Sequence, residues 1–286
     1  MSERSGVKLF RLAVASIERQ DCVNRCVEAI VEAGERGADL VLLPEEPDVV
    51  AGLPPGEHAL EEHPVFIAFR EAAVKAGVPV VSTLAAKVDA GYANTGFMLD
   101  RTGDVIGLYR KKHPAPSEEA IVTAPAAGDA FPVFDFNGVS VALAICMDIH
   151  FPEMFRIYGL KGADIVCVST MYMDYTGDML ESIEKARAID SQMYLALSRY
   201  IEKPYLAGKS MGYAKVVAPD GRIIASTGHR AGVVIAEFDP KWRFPYWGED
   251  EALKSRYPDL REMFDRIRRP DLYGDLTRTR DTGSPK

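Results

Sequence analysis

The chain has 286 residues, 47% of them hydrophobic and 27% charged, with a formal net charge of −8. That length supports a large buried core, and the acidic balance argues against a nucleic-acid or anionic-membrane surface. The four cysteines, Cys22, Cys26, Cys146 and Cys167, are too few and too irregular for a disulfide framework.

No uncharged apolar run reaches the length of a membrane span. The N-terminus, Met1-Ser2-Glu3-Arg4-Ser5-Gly6, lacks the apolar core of a signal peptide. The expectation is therefore a reduced, cytoplasmic protein. Cys22 and Cys26 lie one helical turn apart with no matching His or Cys pair nearby. They read as ordinary helix residues rather than a zinc site.

Leu9–Ile17 alternates as a strand, and Asp21–Gly34 carries Val23, Cys26, Val27, Ile30 and Val31 at helical spacing with Asp21 as N-cap. Asp39–Leu43 is a short buried strand stopping at Pro44-Glu45-Glu46-Pro47, and residues 51–63 read as a loop. Phe66, Phe69, Ala73 and Ala76 predict a second amphipathic helix closed by Gly77. Val78–Leu84 is another strand. Gly96–Leu99 and Val105–Tyr109 form a hairpin across Asp100–Asp104, and Asn137-Gly138 marks a second hairpin whose outgoing strand ends at Cys146.

Alternation then resumes. Glu153–Leu160 is a helix, Asp164–Ser169 a strand, Gly177–Gln192 a helix and Tyr194–Arg199 a strand. Met211–Ala218 and Gly221–Ser226 make a hairpin, and Gly232–Asp239 is the last strand. From Lys241 the character changes: Trp242, Phe244, Tyr246 and Trp247 cluster ahead of a charged helix. The pattern is α/β with mixed sheets in one domain spanning residues 1–286. Residues 241–286 form a tail that packs on the body or on another subunit.

Glu45, Lys111 and Cys146 each follow a strand-like run, and strand ends on one edge of a sheet can converge on one pocket. Together they make a coherent set: a carboxylate takes the thiol proton, the thiolate attacks a carbonyl, and an ammonium steadies the oxyanion. Pro152-Glu153 reads as a first helical turn, and amide dipoles at a helix start favour thiolate at Cys146. Taken singly, Cys146 also reads as a small buried hydrophobe, Glu45 as a helix-start carboxylate and Lys111 as a solvated charge.

These residues resemble the motifs of the nitrilase or carbon–nitrogen hydrolase superfamily, in its amidase-like branch. Leu40-Val41-Leu42-Leu43-Pro44-Glu45 is similar to its glutamate motif, Tyr109-Arg110-Lys111-Lys112-His113 to its lysine motif, and Ile145-Cys146-Met147-Asp148-Ile149-His150-Phe151-Pro152-Glu153 to its cysteine motif. Ala186-Arg187-Ala188-Ile189-Asp190-Ser191-Gln192, the Gly208-Lys209-Ser210 segment with the Pro219-Asp220-Gly221 turn, and Arg269-Pro270-Asp271-Leu272-Tyr273 extend the likeness over nearly the whole chain.

The resemblance implies an αββα sandwich of two mixed β-sheets flanked by helices, associating into homodimers or larger assemblies. It implies a Glu45-Lys111-Cys146 triad, a supporting carboxylate from Glu118 or Glu119, an oxyanion contact from the Met147 amide, and no metal or organic cofactor. His150 and Tyr172 are candidate pocket residues, with a packing role open for both. Arg187 or Arg199 are candidates for a substrate carboxylate, with a structural role open for both. His113 reads as a structural hydrogen-bonder rather than a second base, Asp148 as an organiser of the turn rather than a carrier of protons, and Cys167 as core.

The chain departs from the family pattern at Glu46-Pro47-Asp48, at Asp190-Ser191 and at His150. The expected activity is hydrolysis of a small linear amide through a thioester, releasing ammonia or an amine. Hydrolysis of N-carbamoyl amino acids and nitrilase activity are the alternatives within the family. A catalytically silent scaffold or an acyl-transfer module is the alternative outside it.

Overall fold

A computed structural model describes residues 8–118, 121–125, 128–171, 178–201 and 213–278. Side chains that alternate along a strand face opposite layers, and here both faces of the first strands are apolar. In β1 (Phe10–Glu18), Leu12 and Val14 join one core while Ala13 and Ala15 join another. After α1 (Cys22–Glu35), β2 (Leu40–Leu42) repeats the split, with Leu40 and Leu42 facing one way and Val41 the other.

The chain continues through α2 (Pro47–Val50), α3 (Pro64–Ala76), β3 (Val80–Val88), β4 (Gly91–Leu99), β5 (Val105–Arg110), β6 (Val133–Phe136) and β7 (Val139–Ile145). It then runs through α4 (Pro152–Leu160), β8 (Ile165–Ser169), α5 (Asp178–Ser191), β9 (Tyr194–Ile201), β10 (Lys215–Val217), β11 (Ile223–Ser226) and β12 (Gly232–Phe238).

Two mixed sheets result. In the first, β1, β2 and β3 run parallel, while β4, β5 and β12 are antiparallel to their neighbours. In the second, β7, β8 and β9 run parallel, and β6 and β10 flank them antiparallel. A three-residue parallel pairing, from Ser16↔Arg199 to Glu18↔Ile201, joins the two at one corner. Leu12, Leu40, Leu42, Val81 and Met98 of the first sheet share a core with Val141, Leu143, Ile165 and Leu197 of the second. The far face of the first sheet packs on Cys22, Cys26 and Ile30 of α1 and on Phe66 and Phe69 of α3. Met154, Phe155 and Tyr158 of α4 and Ala188 of α5 cover the second sheet. This is the αββα sandwich.

Helices α1 and α3 pack closely enough that a Cβ on Gly34 would lie 2.5 Å from the Ala76 carbonyl oxygen, so glycine is required there. Gly77 ends α3 in the left-handed conformation, φ 64°, as its sequence position predicts.

Asp21 is corrected. It occupies the N-cap position of α1 but has φ 56° and makes no side-chain cap. The left-handed backbone turns its carboxylate away from the first-turn amides, and it accepts from Asn24 Nδ2 at 2.7 Å instead. The expected 51–63 loop also holds a 3-10 turn at Leu60–Glu62. The strand β4 is longer than predicted, because it also pairs with β3 from Gly91 onward.

The chain divides into two compact units, residues 1–242 and 243–286. The second contains α6 (Glu251–Arg256), capped by Asp250, and α7 (Leu260–Ile267), capped by Asp259. Among the described residues no helix is long and apolar enough to cross a membrane.

Candidate active site

Glu45, Lys111 and Cys146 follow the carboxyl ends of β2, β5 and β7. Those three ends converge because the sandwich stacks the first sheet on the second. Ser169 Oγ at the end of β8 donates to the Leu43 carbonyl at 2.8 Å, tying the sheets together beside the site. The Tyr200 hydroxyl donates to the Glu45 carbonyl at 2.9 Å.

The Glu45 side chain is wholly buried and fully engaged. Its Oε1 accepts from Lys111 Nζ at 2.8 Å and from Asn94 Nδ2 at 2.8 Å. Its Oε2 accepts from the Met171 amide at 2.9 Å. The Cys146 thiol and this carboxylate face one another closely enough to shift each other's ionisation. Burial pushes the Glu45 carboxyl above its ordinary range, and Lys111 opposes that shift without cancelling it. A base held closer to neutrality suits proton transfer from a thiol.

Burial alone would lower the Lys111 ammonium, but Glu45, Cys146 and Glu118 outweigh it and the net shift is upward. Lys111 is therefore a fixed cation. Glu118 grips it with both oxygens, at 2.9 Å and 2.7 Å, and its Oε2 also accepts from the Ala115 amide at 2.6 Å. Of the two candidate supporting carboxylates, Glu118 stands on Lys111, and Glu119 lies outside the described residues.

Cys146 opens a 3-10 turn, Cys146–His150, ahead of α4 and has φ 46°. A non-glycine residue in that region is strained, and such strain recurs where a turn must present a reacting atom. The expectation that a helix start favours thiolate is corrected. Burial and then the Glu45 carboxylate push the Cys146 thiol well up, and neither Lys111 nor a hydrogen bond with Thr170 reverses that. The resting sulfur is a thiol with its base beside it. A 3-10 turn of five residues carries too little aligned dipole to offset desolvation.

Asp148 organises this turn, as its sequence position suggests. It is buried and accepts from the Ile145 amide at 2.9 Å, the His113 amide at 3.1 Å and the Tyr109 hydroxyl at 2.7 Å. The His113 ring is 2.7 Å away through Nδ1 and stacks on Phe151 with centroids 3.7 Å apart. One carboxylate thus links the lysine segment to the nucleophile turn.

Met147 follows the nucleophile, with its amide at the start of the turn. His150 ends the turn half-buried beside Arg187. Tyr172 and the Gly208-Lys209-Ser210 segment lie outside the described residues. Arg187 is committed to the Ile149 and His150 carbonyls, and Arg199 to Glu184. Both arginines thus have protein partners.

Asn94, Thr170 and Met171 were not singled out in the sequence. Asn94 lies mid-strand, and the other two just beyond an apolar strand, so no local signal marks them.

Glu45, Glu46 and Glu118 bring carboxylate oxygens within 4.8 Å of one another, a spacing that could hold a cation. Lys111 Nζ already serves two of the three.

The model of one family, described as carbon-nitrogen hydrolase, matches residues 11–243. The chain belongs to the carbon-nitrogen hydrolase family. Among its relatives, this carbon-nitrogen hydrolase is 30% identical over 207 residues to the 2-oxoglutaramate amidase of Bacillus subtilis (strain 168), covering 71% of this chain and 74% of that protein. It is 28% identical over 281 residues to an omega-amidase of Homo sapiens, covering 93% and 95% of the two chains. In fold it is similar to the crystal structure of an amidase from Nesterenkonia sp., with a TM-score of 0.68 at 24% identity, covering 86% of this chain and 95% of that one.

Proposed function

We propose that this carbon-nitrogen hydrolase cleaves the C–N bond of a small linear amide through a thioester on Cys146. The observation that carries the reading is the shared position of Glu45, which faces the Cys146 thiol while accepting from Lys111 at 2.8 Å. This is the arrangement expected of a base that serves both a nucleophile and an oxyanion donor. The relatives named as amidases supply the reaction class.

Glu45 takes the proton from Cys146 Sγ as sulfur attacks the carbonyl carbon. The developing oxyanion receives hydrogen bonds from Lys111 Nζ and the Met147 amide. Glu45 returns the proton to the departing nitrogen, which leaves as ammonia or an amine. Water then gives its proton to Glu45 and attacks the thioester. Collapse releases the acid and restores the thiol. Glu118 holds Lys111 in place and leaves proton transfer to Glu45. The mechanism asks nothing of a metal or organic cofactor. His150 and Tyr172 belong to the pocket in this reading.

The four cysteines are unpaired thiols, which favours a reducing, cytoplasmic setting. Exposed Trp247, Leu272 and Leu276 in the C-terminal unit favour a homo-oligomer.

The test is ammonia release from a panel of aliphatic amides, N-carbamoyl amino acids and nitriles, with intact-mass detection of an acyl-enzyme. Turnover of nitriles alone, or full activity in Cys146→Ala, would overturn the reading.

A further inference from the structure

Glu46 departs from the family pattern beside the proposed base. Its backbone is left-handed, φ 44° and ψ 59°, and its amide donates to Thr83 Oγ1 at 2.8 Å. Pro47 starts α2 immediately after it, and Asp48 anchors that helix by accepting from the Ala85 amide at 3.0 Å. The backbone is thus clamped in a conformation that glutamate rarely adopts. The side chain is 95% buried, with its carboxyl within 4.8 Å of those of Glu45 and Glu118.

Lys111 is the cation that faces this carboxyl, and its ammonium is already engaged by Glu45 and Glu118. One ammonium cannot balance three carboxylates. Burial, then Glu45 and Asp48, push the Glu46 carboxyl well up. Tyr92 and Glu118 also face it. A substrate carbonyl held by Lys111 would lie near this group, because the Glu46 carboxyl is within 4.8 Å of both carboxyls that hold that lysine.

Among the described residues, three arginines around the site already have protein partners. Arg187 holds main-chain carbonyls, Arg199 holds Glu184, and Arg19 reaches the Met171 carbonyl. A carboxylate-bearing substrate such as 2-oxoglutaramate would therefore meet a carboxyl where it needs a cation.

We propose that Glu46 sets the substrate charge, so that the enzyme prefers short amides carrying an ammonium group over amides carrying a carboxylate. This rests on the amide-hydrolase reading above. An ammonium near the scissile carbonyl supplies the missing positive charge and stabilises ionised Glu46. A substrate carboxylate adds a further negative group to a site already crowded with carboxyls.

The experiment compares kcat/KM for three amides of matched length: γ-aminobutanamide, pentanamide and succinamate. The expected order in the wild type is that order, with the first exceeding the last by about tenfold or more. In Glu46→Gln the ratio of first to last falls by about tenfold. Succinamate as the best wild-type substrate, or an unchanged ratio in a folded Glu46→Gln, overturns the proposal.

If that variant fails to fold, the wild-type ratio is followed with pH. It rises as Glu46 ionises, and a flat ratio overturns the proposal. Hydrolysis of none of the three while Cys146 still reacts with iodoacetamide overturns the amide reading itself. Hydrolysis of all three without charge preference overturns only the role of Glu46.

Discussion

Asn94 Nδ2 donates to Glu45 Oε1 at 2.8 Å, the same oxygen that accepts from Lys111. The Asn94 carbonyl also accepts from the Lys111 amide at 3.0 Å. One residue of β4 therefore fixes both the base and the start of the lysine segment. A hydrogen bond to a charged group is worth about 1.5–3 kcal/mol. Asn94→Ala is expected to lower kcat/KM by about ten- to a hundredfold. It is also expected to move the acid limb of the pH profile upward, because Glu45 loses a donor that favours its charged form. A uniform rate loss with no movement of that limb would point to a merely structural role.

The acid limb in the wild type follows from Glu45. Its folded pKa lies above the ordinary carboxylate value, and catalysis needs it ionised. Activity is therefore expected to fall as pH drops through that raised value, before an ordinary carboxylate would titrate. The kcat/KM profile from acid to neutral pH checks this. A limb at or below the ordinary glutamate value contradicts the assignment.

Lys111→Ala removes the proposed oxyanion donor and leaves the buried Glu45 and part-buried Glu118 carboxylates without their cation. Loss of such a donor costs about a hundred- to a thousandfold in kcat. Glu118→Gln keeps the lysine but loosens its anchor, so a smaller loss is expected. Steady-state kinetics on one amide rank the two, and the reverse ranking would sink the division of roles.

Asp148 accepts from three donors and faces the His113 ring. Asp148→Ala leaves those groups buried without a partner, at about 1–3 kcal/mol for each one left unpaired. Urea unfolding should show an instability of that order, together with loss of activity. Near-native stability would show that water or repacking replaces the carboxylate.

Glu46 carries a stability signature. Its folded pKa is raised above the unfolded value. Its protonated form is favoured in the folded state, so its contribution is fully present below the unfolded pKa and lost as pH rises through the folded one. Glu46→Gln removes that dependence. The melting temperature of the variant relative to wild type should therefore be higher at alkaline pH than at acid pH. A constant difference across pH contradicts the burial of an uncompensated carboxyl.

The order and type of the elements were legible because alternation and helical spacing are local properties. Boundaries moved where pairing decides them, as in β4, whose first residues, Gly91-Tyr92-Ala93-Asn94-Thr95, show no apolar alternation yet pair with β3. Asp21 shows the same limit: its residue type suits a cap, but its backbone conformation does not permit one.

By itself the sequence determined an α/β pattern with mixed sheets and the positions of Glu45, Lys111 and Cys146, each after an apolar strand in a short motif, and the αββα layering followed from the likeness of those motifs to a family. Tertiary structure alone decided their partners. Asn94 meets Glu45 across 49 residues, and Met171 meets it across 126, so no window of sequence holds both ends. Tertiary structure also decided that Glu118 grips the lysine, that Arg187 and Arg199 are already engaged, and that Cys146 rests as a thiol. Charge state depends on what surrounds a group after folding, and burial at Cys146 outweighs the dipole that its local sequence promised.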